Sequence, residues 1–200
     1  MWGCLRETSE KSDGSGNDKD TGLCRTGLDR YLSAIYPDVK DWIHDKPINQ
    51  VYEGRKLRIR PDYRSEKLRM VIEYDGLQHY QSPKNIREDD RKTRIYSALE
   101  YRVVRIPYFI QLTNEAVLKL FGIEVPTKLF DGTYPSLGIK EQCTPAFLCP
   151  AGIDRMAREF SKFPEQYEVN IRALENAGDE YMTGVTLLKE AVAKYKASLV

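Results

Sequence analysis

Asp62, Glu73, Asp75 and His79 are the residues whose types and spacing could do chemistry in this chain. Asp62 follows the alternating run Leu57, Arg58, Ile59, Arg60 and a proline, Pro61. Glu73 and Asp75 stand at the end of a mostly apolar run over residues 68–74, and Gly76 follows. A hairpin of the two runs brings these ends together. Three carboxylates that close repel one another unless a cation or a shared proton compensates. Phosphodiester hydrolysis needs an activated water, neutralised transition-state charge and help for the leaving oxygen, and one or two Mg2+ ions supply all three. Mg2+ takes hard oxygen ligands, one or two carboxylates with waters and phosphate oxygens. Asp62 and Glu73 suit that need. Asp75, two residues beyond Glu73, falls on the same face of a regular strand.

His79 lies just past the Gly76 turn, within reach of a scissile phosphate as general acid or base. An imidazole titrates near neutrality, which suits either role; the plainer alternative is a surface or core histidine. Asp89, Asp90, Arg91 and Lys92 open a charged helix. Acids in a first turn are ordinary partners of the helix dipole. The functional alternative has Asp89 complete the acidic cluster while Lys92, one turn later on the same face, meets phosphate. Arg102 and Arg105 have opposite strand parity, so one of them at most faces the site.

The elements that must position these groups follow from periodicity. Residues 8–22 are polar and rich in Gly, Ser and Asp, and residues 1–25 read as a flexible lead-in. Leu28, Tyr31, Leu32 and Ile35 predict a helix over 26–35 that carries Asp29. Residues 57–60 and 68–74 predict strands, 64–67 the turn between them, and 80–87 a polar loop. An amphipathic helix over 88–99 and a strand over 101–106 complete a crossover unit, which favours an α/β fold with a mixed sheet. A helix over 114–121 is capped by Thr113 or Asn114 and stopped by Gly122. Residues 123–150 are proline-rich and without periodicity; 153–160, 165–176 and 180–199 look helical. The division is a core over 26–122 and a connection with a helical extension over 123–200.

The 200 residues are 41% hydrophobic, enough for a real core, and the net charge is +1. That balance hides a local basic excess. Residues 55–105 hold fourteen Lys/Arg against eight Asp/Glu. A basic surround at an acidic cluster is expected where a polyanion is brought to a metal, the alternative being a solvated, charge-mixed surface. Cys4, Cys24, Cys143 and Cys149 form no CxxC pair and only His44 and His79 could join them, which argues against a structural zinc finger. With no signal peptide and no apolar run near eighteen residues, a soluble cytoplasmic protein with reduced thiols is expected.

The set formed by Arg60, Pro61, Asp62, Ile72, Glu73, Tyr74, Asp75, Gly76, His79, Tyr80, Asp89, Lys92, Arg105 and Pro107 resembles the PD-(D/E)xK nuclease superfamily. It is most similar to the branch around very-short-patch repair and related homing endonucleases, over about residues 26–110. The resemblance implies a restriction-endonuclease-like core, a central mixed sheet flanked by helices. It also implies a Mg2+-dependent DNA endonuclease, with Mn2+ a possible substitute. Asp62 would be the principal ligand, joined by Glu73, Asp75, Asp89 and Asp29, with His79 catalytic. Asp29 stands where the branch often has glutamate. Asp75 stands where the superfamily has its lysine, so Lys92 would have to substitute. The implied partner is double-stranded DNA. Residues 123–200 lie beyond the resemblance, and without a strong basic stripe they read as serving packing, a homodimer or a protein contact rather than duplex reading. The alternative function is a non-catalytic nucleic-acid-binding or assembly protein that keeps a degenerate nuclease core.

Overall fold

The computed structural model describes residues 28–199 except 128, 130, 131 and 139–141, and the side chains of Asp29 and Arg30 are outside that description. The lead-in over 1–25 and the assignment of Asp29 to a metal therefore lie outside the described residues. Helix α1 (Leu28–Ile35) buries Leu28, Tyr31, Leu32 and Ile35, the stripe its spacing predicts. Four strands form one sheet: β1 (Ile43–His44), β4 (Tyr63–Ser65), β5 (Met70–Asp75) and β6 (Arg102–Pro107), in the order β1-β4-β5-β6. The first two junctions are antiparallel and β5–β6 is parallel, so the sheet is mixed, as the crossover pattern suggests. Strands β2 (Val51–Tyr52) and β3 (Arg55–Lys56) make a separate hairpin, turned by Glu53 and Gly54 at φ 49° and 74°. Positive φ at both central residues suits the right-handed twist of such a hairpin.

One strand lies elsewhere than expected. Residues 57–60 alternate in burial but do not pair with β5; the pairing residues are Tyr63–Ser65, beyond Asp62. The 57–62 segment instead exchanges main-chain hydrogen bonds with residues 45–50, Leu57 N to Gln50 O at 2.9 Å and Ile48 N to Ile59 O at 3.0 Å. The cause lies in the motif itself. Pro61 has no N–H to donate, and the N–H of Tyr74 goes to the Asp62 carboxylate at 2.6 Å. The ladder consequently begins one residue after the acid.

Side chains of β5 alternate between two cores. Met70, Ile72 and Tyr74 join α1, Val104 and Ile106. Val71 joins Ile48, Leu57, Ile59, Ile95, Tyr96 and Tyr101. By the strand period of two, Glu73 and Asp75 share the face of Val71 and lie beneath the crossover helix. After the short helix α2 (Gln78–Gln81), that crossover is α3 (Pro83–Ala98), started by Pro83 at its first position and by Ser82, whose hydroxyl accepts the Lys84 N–H. It begins five residues earlier than the charge pattern suggests, inside the expected polar loop. Helix α4 (Asn114–Phe121) has Thr113 as cap and Gly122, at φ 74°, as stop.

The chain then forms α5 (Pro150–Phe160), α6 (Pro164–Ala177), α7 (Glu180–Thr183) and α8 (Val185–Ala197), with Gly184 dividing what reads in sequence as one helix. None of the helices among the described residues is long and apolar enough to cross a membrane. Helix α5 meets α2 backbone to backbone at Gly152. A Cβ there would sit 1.8 Å from the Tyr80 carbonyl oxygen, the acceptor of the Cys149 N–H. Gly152→Ala would gain about 0.5–1 kcal/mol of helix preference. The enforced shift of main chain outweighs this, and a net loss of about 1–3 kcal/mol in urea unfolding is expected. Unchanged stability would show that the contact yields freely.

Candidate active site

Two groups of acids lie under α3, and they differ in how their charge is met. The first is Asp75 with Asp89, both buried. Asp89 is presented by the inner face of α3, two turns before the buried Tyr96. Opposite Glu73 in the parallel register stands Arg105. Its guanidinium clamps Asp75, Nε to Oδ2 at 2.8 Å and Nη2 to Oδ1 at 2.5 Å, and reaches Asp89 Oδ1 at 3.0 Å. A second guanidinium comes from far along the chain. Arg155 of α5 donates through Nη1 to Asp89 Oδ2 at 2.8 Å and through Nη2 to Asp75 Oδ2. Its Nε donates to Glu159 at 3.0 Å, and its cation lies 4.6 Å from the Tyr80 ring centre. Glu159 in turn accepts the Tyr80 hydroxyl at 2.6 Å. Two carboxylates and two arginines thus neutralise each other in a largely buried cluster. Though burial opposes its ionisation, Asp89 is pulled down to about 2 by His79, Arg105 and Arg155.

His79 is oriented by this group. Its Nδ1 lies 2.8 Å from Asp89 Oδ2 and 3.7 Å from Asp75 Oδ1. With the proton on Nδ1 donated to Asp89, the Nε2 lone pair is left for a substrate or water, the arrangement by which a carboxylate sets a histidine base. Burial works against the imidazolium, but the Asp89 hydrogen bond and the charges of Asp75 and Asp89 prevail and raise its pKa.

The second group is Asp62 with Glu73, and neither has an ion-pair partner among the described residues. Asp62 sits just before the first residue of β4 with only the Tyr74 N–H on its carboxylate. Burial raises its pKa, and the charge of Asp75 adds to this. Glu73, buried on β5, accepts the Tyr96 hydroxyl at 2.7 Å. Burial, then the charge of Asp62, pushes Glu73 up from 4.5 to about 7, against the opposing pull of Tyr96, Lys92 and Arg105. Lys92 is half-buried one turn after Asp89 and acts on Glu73 through space.

All the predicted residues with described side chains therefore gather on or under α3, but they divide by how their charge is met. The ligand atoms of Asp75, His79 and Asp89 lie within 4.8 Å of one another, close enough for one ion. An ion there would have to displace two guanidiniums, whereas one at Asp62 and Glu73 would relieve an unmet charge. The hard oxygen donors of that second pair suit Mg2+ or Mn2+. Sequence reasoning missed Arg155, Glu159 and Tyr96. Arg155 had a visible signal, because it occupies a core position on the same stripe of α5 as Gly152, Met156 and Phe160. Arg105 was half legible through strand parity, and it is indeed Arg105, not the exposed Arg102, that enters the site.

The raised Glu73 makes a pH prediction for the metal-free protein. A carboxyl whose folded value lies above its free one binds its proton more tightly when folded. Its contribution is complete below about 4.5 and is lost as pH rises through about 7. In EDTA the wild-type Tm should fall between these values relative to Glu73→Gln, which carries no such proton. Parallel Tm profiles for the two proteins would refute the assignment. No protein family, curated protein or solved structure matches this chain.

Proposed function

We propose that this chain is a divalent-metal-dependent DNA endonuclease on a restriction-endonuclease-like core. The observation that carries the reading is the pair of half-buried Asp62 and buried Glu73, in no ion pair with any described cation, beside a histidine whose Nδ1 is fixed by Asp89. Asp62 and Glu73 would hold Mg2+ or Mn2+. When bound, such an ion supplies an activated water and neutralises charge building on the phosphate. His79 moves a proton at Nε2, its ring aimed by Asp89. Lys92 adds positive charge on the phosphate side, where the lysine of the resembled superfamily is replaced by Asp75. Asp75 and Asp89 act chiefly through Arg105, Arg155 and His79, which they hold in place.

Supercoiled plasmid incubated with Mg2+, with Mn2+ and with EDTA tests the reading. Nicked or linear product is expected with either ion and none with EDTA. Plasmid left supercoiled in every condition would sink it. A second reading, a nucleic-acid-binding protein with a degenerate core, is favoured by one observation: two of the four carboxylates are already satisfied by arginines. Intact DNA together with salt-sensitive binding would select it.

A further inference from the structure

A groove of about 1010 Å3 runs between the β2–β3 hairpin, the extended segment that follows it, and the outer edge of α3. Its floor is the aliphatic row Leu57, Ile59 and Ile95. Its walls are cationic. Arg55, Lys56, Arg58, Lys92 and Arg94 line it and form no ion pair with any described residue. Arg60 and Arg91 also line it, but they are engaged by Asp45 and Glu88. Five cations without a described ion-pair partner, set against Glu53 as the one lining acid not held in an ion pair, raise a positive potential that the near-neutral chain as a whole does not have. The channel also has a direction. Lys92 lies at its inner end and feels Glu73, while Arg60 leads through Pro61 into Asp62.

We propose that this groove seats the phosphate backbone of a nucleic-acid duplex and leads it to the acids under α3. Single-strand channels stack successive bases on aromatic side chains. Tyr52 is the sole aromatic among the lining residues, and the rest of the polar lining is seven long, flexible cations against two acids, Glu53 and Glu88, the latter held by Arg91. Such a lining meets phosphates and carries no code for bases, so binding is independent of sequence. The hairpin forms the outer wall: β3 is fully exposed, and its tight turn holds Arg55 and Lys56 away from the sheet. The proposal deepens the nuclease reading and rests on it for where the backbone leads, but the binding itself requires no metal.

The test is anisotropy titration of a short labelled duplex of arbitrary sequence, in EDTA, between about 50 and 200 mM salt. The variant is Arg55→Glu with Lys56→Glu and Arg58→Glu, three exposed positions outside the acid site. The control is Arg172→Glu with Lys194→Glu, exposed positions on α6 and α8. Wild type should bind with a steep salt dependence. The variant should bind more than about tenfold more weakly, with a log–log slope shallower by roughly two to three, and the control should match wild type. Three results would overturn the assignment: no duplex binding by wild type, a variant with the wild-type slope, or a single strand bound more tightly than duplex. Binding that behaves as expected while plasmid stays intact in both Mg2+ and Mn2+ refutes the nuclease reading and leaves the groove assignment standing.

Discussion

Arg155→Ala should lower the unfolding free energy by about 3–5 kcal/mol, the usual cost of removing one partner from a buried ion pair. The side chain is 9% exposed and meets three carboxylates, Asp75, Asp89 and Glu159. Arg105 can cover Asp75 and one oxygen of Asp89 but does not reach Glu159, which would be left with the Tyr80 hydroxyl alone. Arg155→Lys should recover part of the loss, because one ammonium cannot span three acceptors as the guanidinium fork does. The deficit should also shrink in acid. Asp89 is held at about 2 in the native protein, so the stability it contributes is present above about 3.8 and is lost as pH falls through about 2. The gap between wild type and variant should therefore start to narrow near pH 4 and close only toward about pH 2. A urea-unfolding difference under about 1 kcal/mol at neutral pH would show that the cluster relaxes or hydrates, and that α5 is not tied to the site through this residue.

Asp62→Asn should separate catalysis from folding. The native carboxylate is desolvated and carries only the Tyr74 N–H, so an amide oxygen of the same shape can accept that bond without burying a charge. Stability in EDTA should be equal to wild type or slightly higher. Cleavage should fall by more than roughly 100-fold, the upper range even for residues that only support a metal ligand. The divalent ion should also lose its effect on folding. For wild type, Mg2+ at ten times its Kd should add about 1.4 kcal/mol, and Asp62→Asn should show no comparable rise in Tm. Cleavage near the wild-type rate would remove Asp62 from the mechanism. His79→Ala makes a complementary check on proton transfer. It should cut the rate while leaving the Mg2+-dependent Tm shift in place, since the ion rests on Asp62 and Glu73.

The sequence by itself determined which faces would meet. Period-two alternation set Glu73 and Asp75 on one side of β5, and the same parity allowed at most one of Arg102 and Arg105 into the site, the structure choosing Arg105. Helical spacing gave α1 its buried stripe, and a cap at Thr113 or Asn114 with the Gly122 stop bounded α4, the structure choosing Thr113. These features are legible because they depend on neighbours a few residues away, through backbone geometry that hardly varies. What neutralises the acids could be decided only by tertiary structure. Repulsion among close carboxylates demands a positive charge, and sequence alone left a metal as the natural supply. The fold meets half of that demand with Arg155, 80 residues beyond Asp75, brought in where Gly152 lets α5 pack against α2. No local pattern encodes such a contact, because electrostatic partners are selected by distance in space. The remaining pair, Asp62 and Glu73, keeps its charge unmet for the same reason: no helix of the extension delivers a cation to that end of the sheet among the described residues.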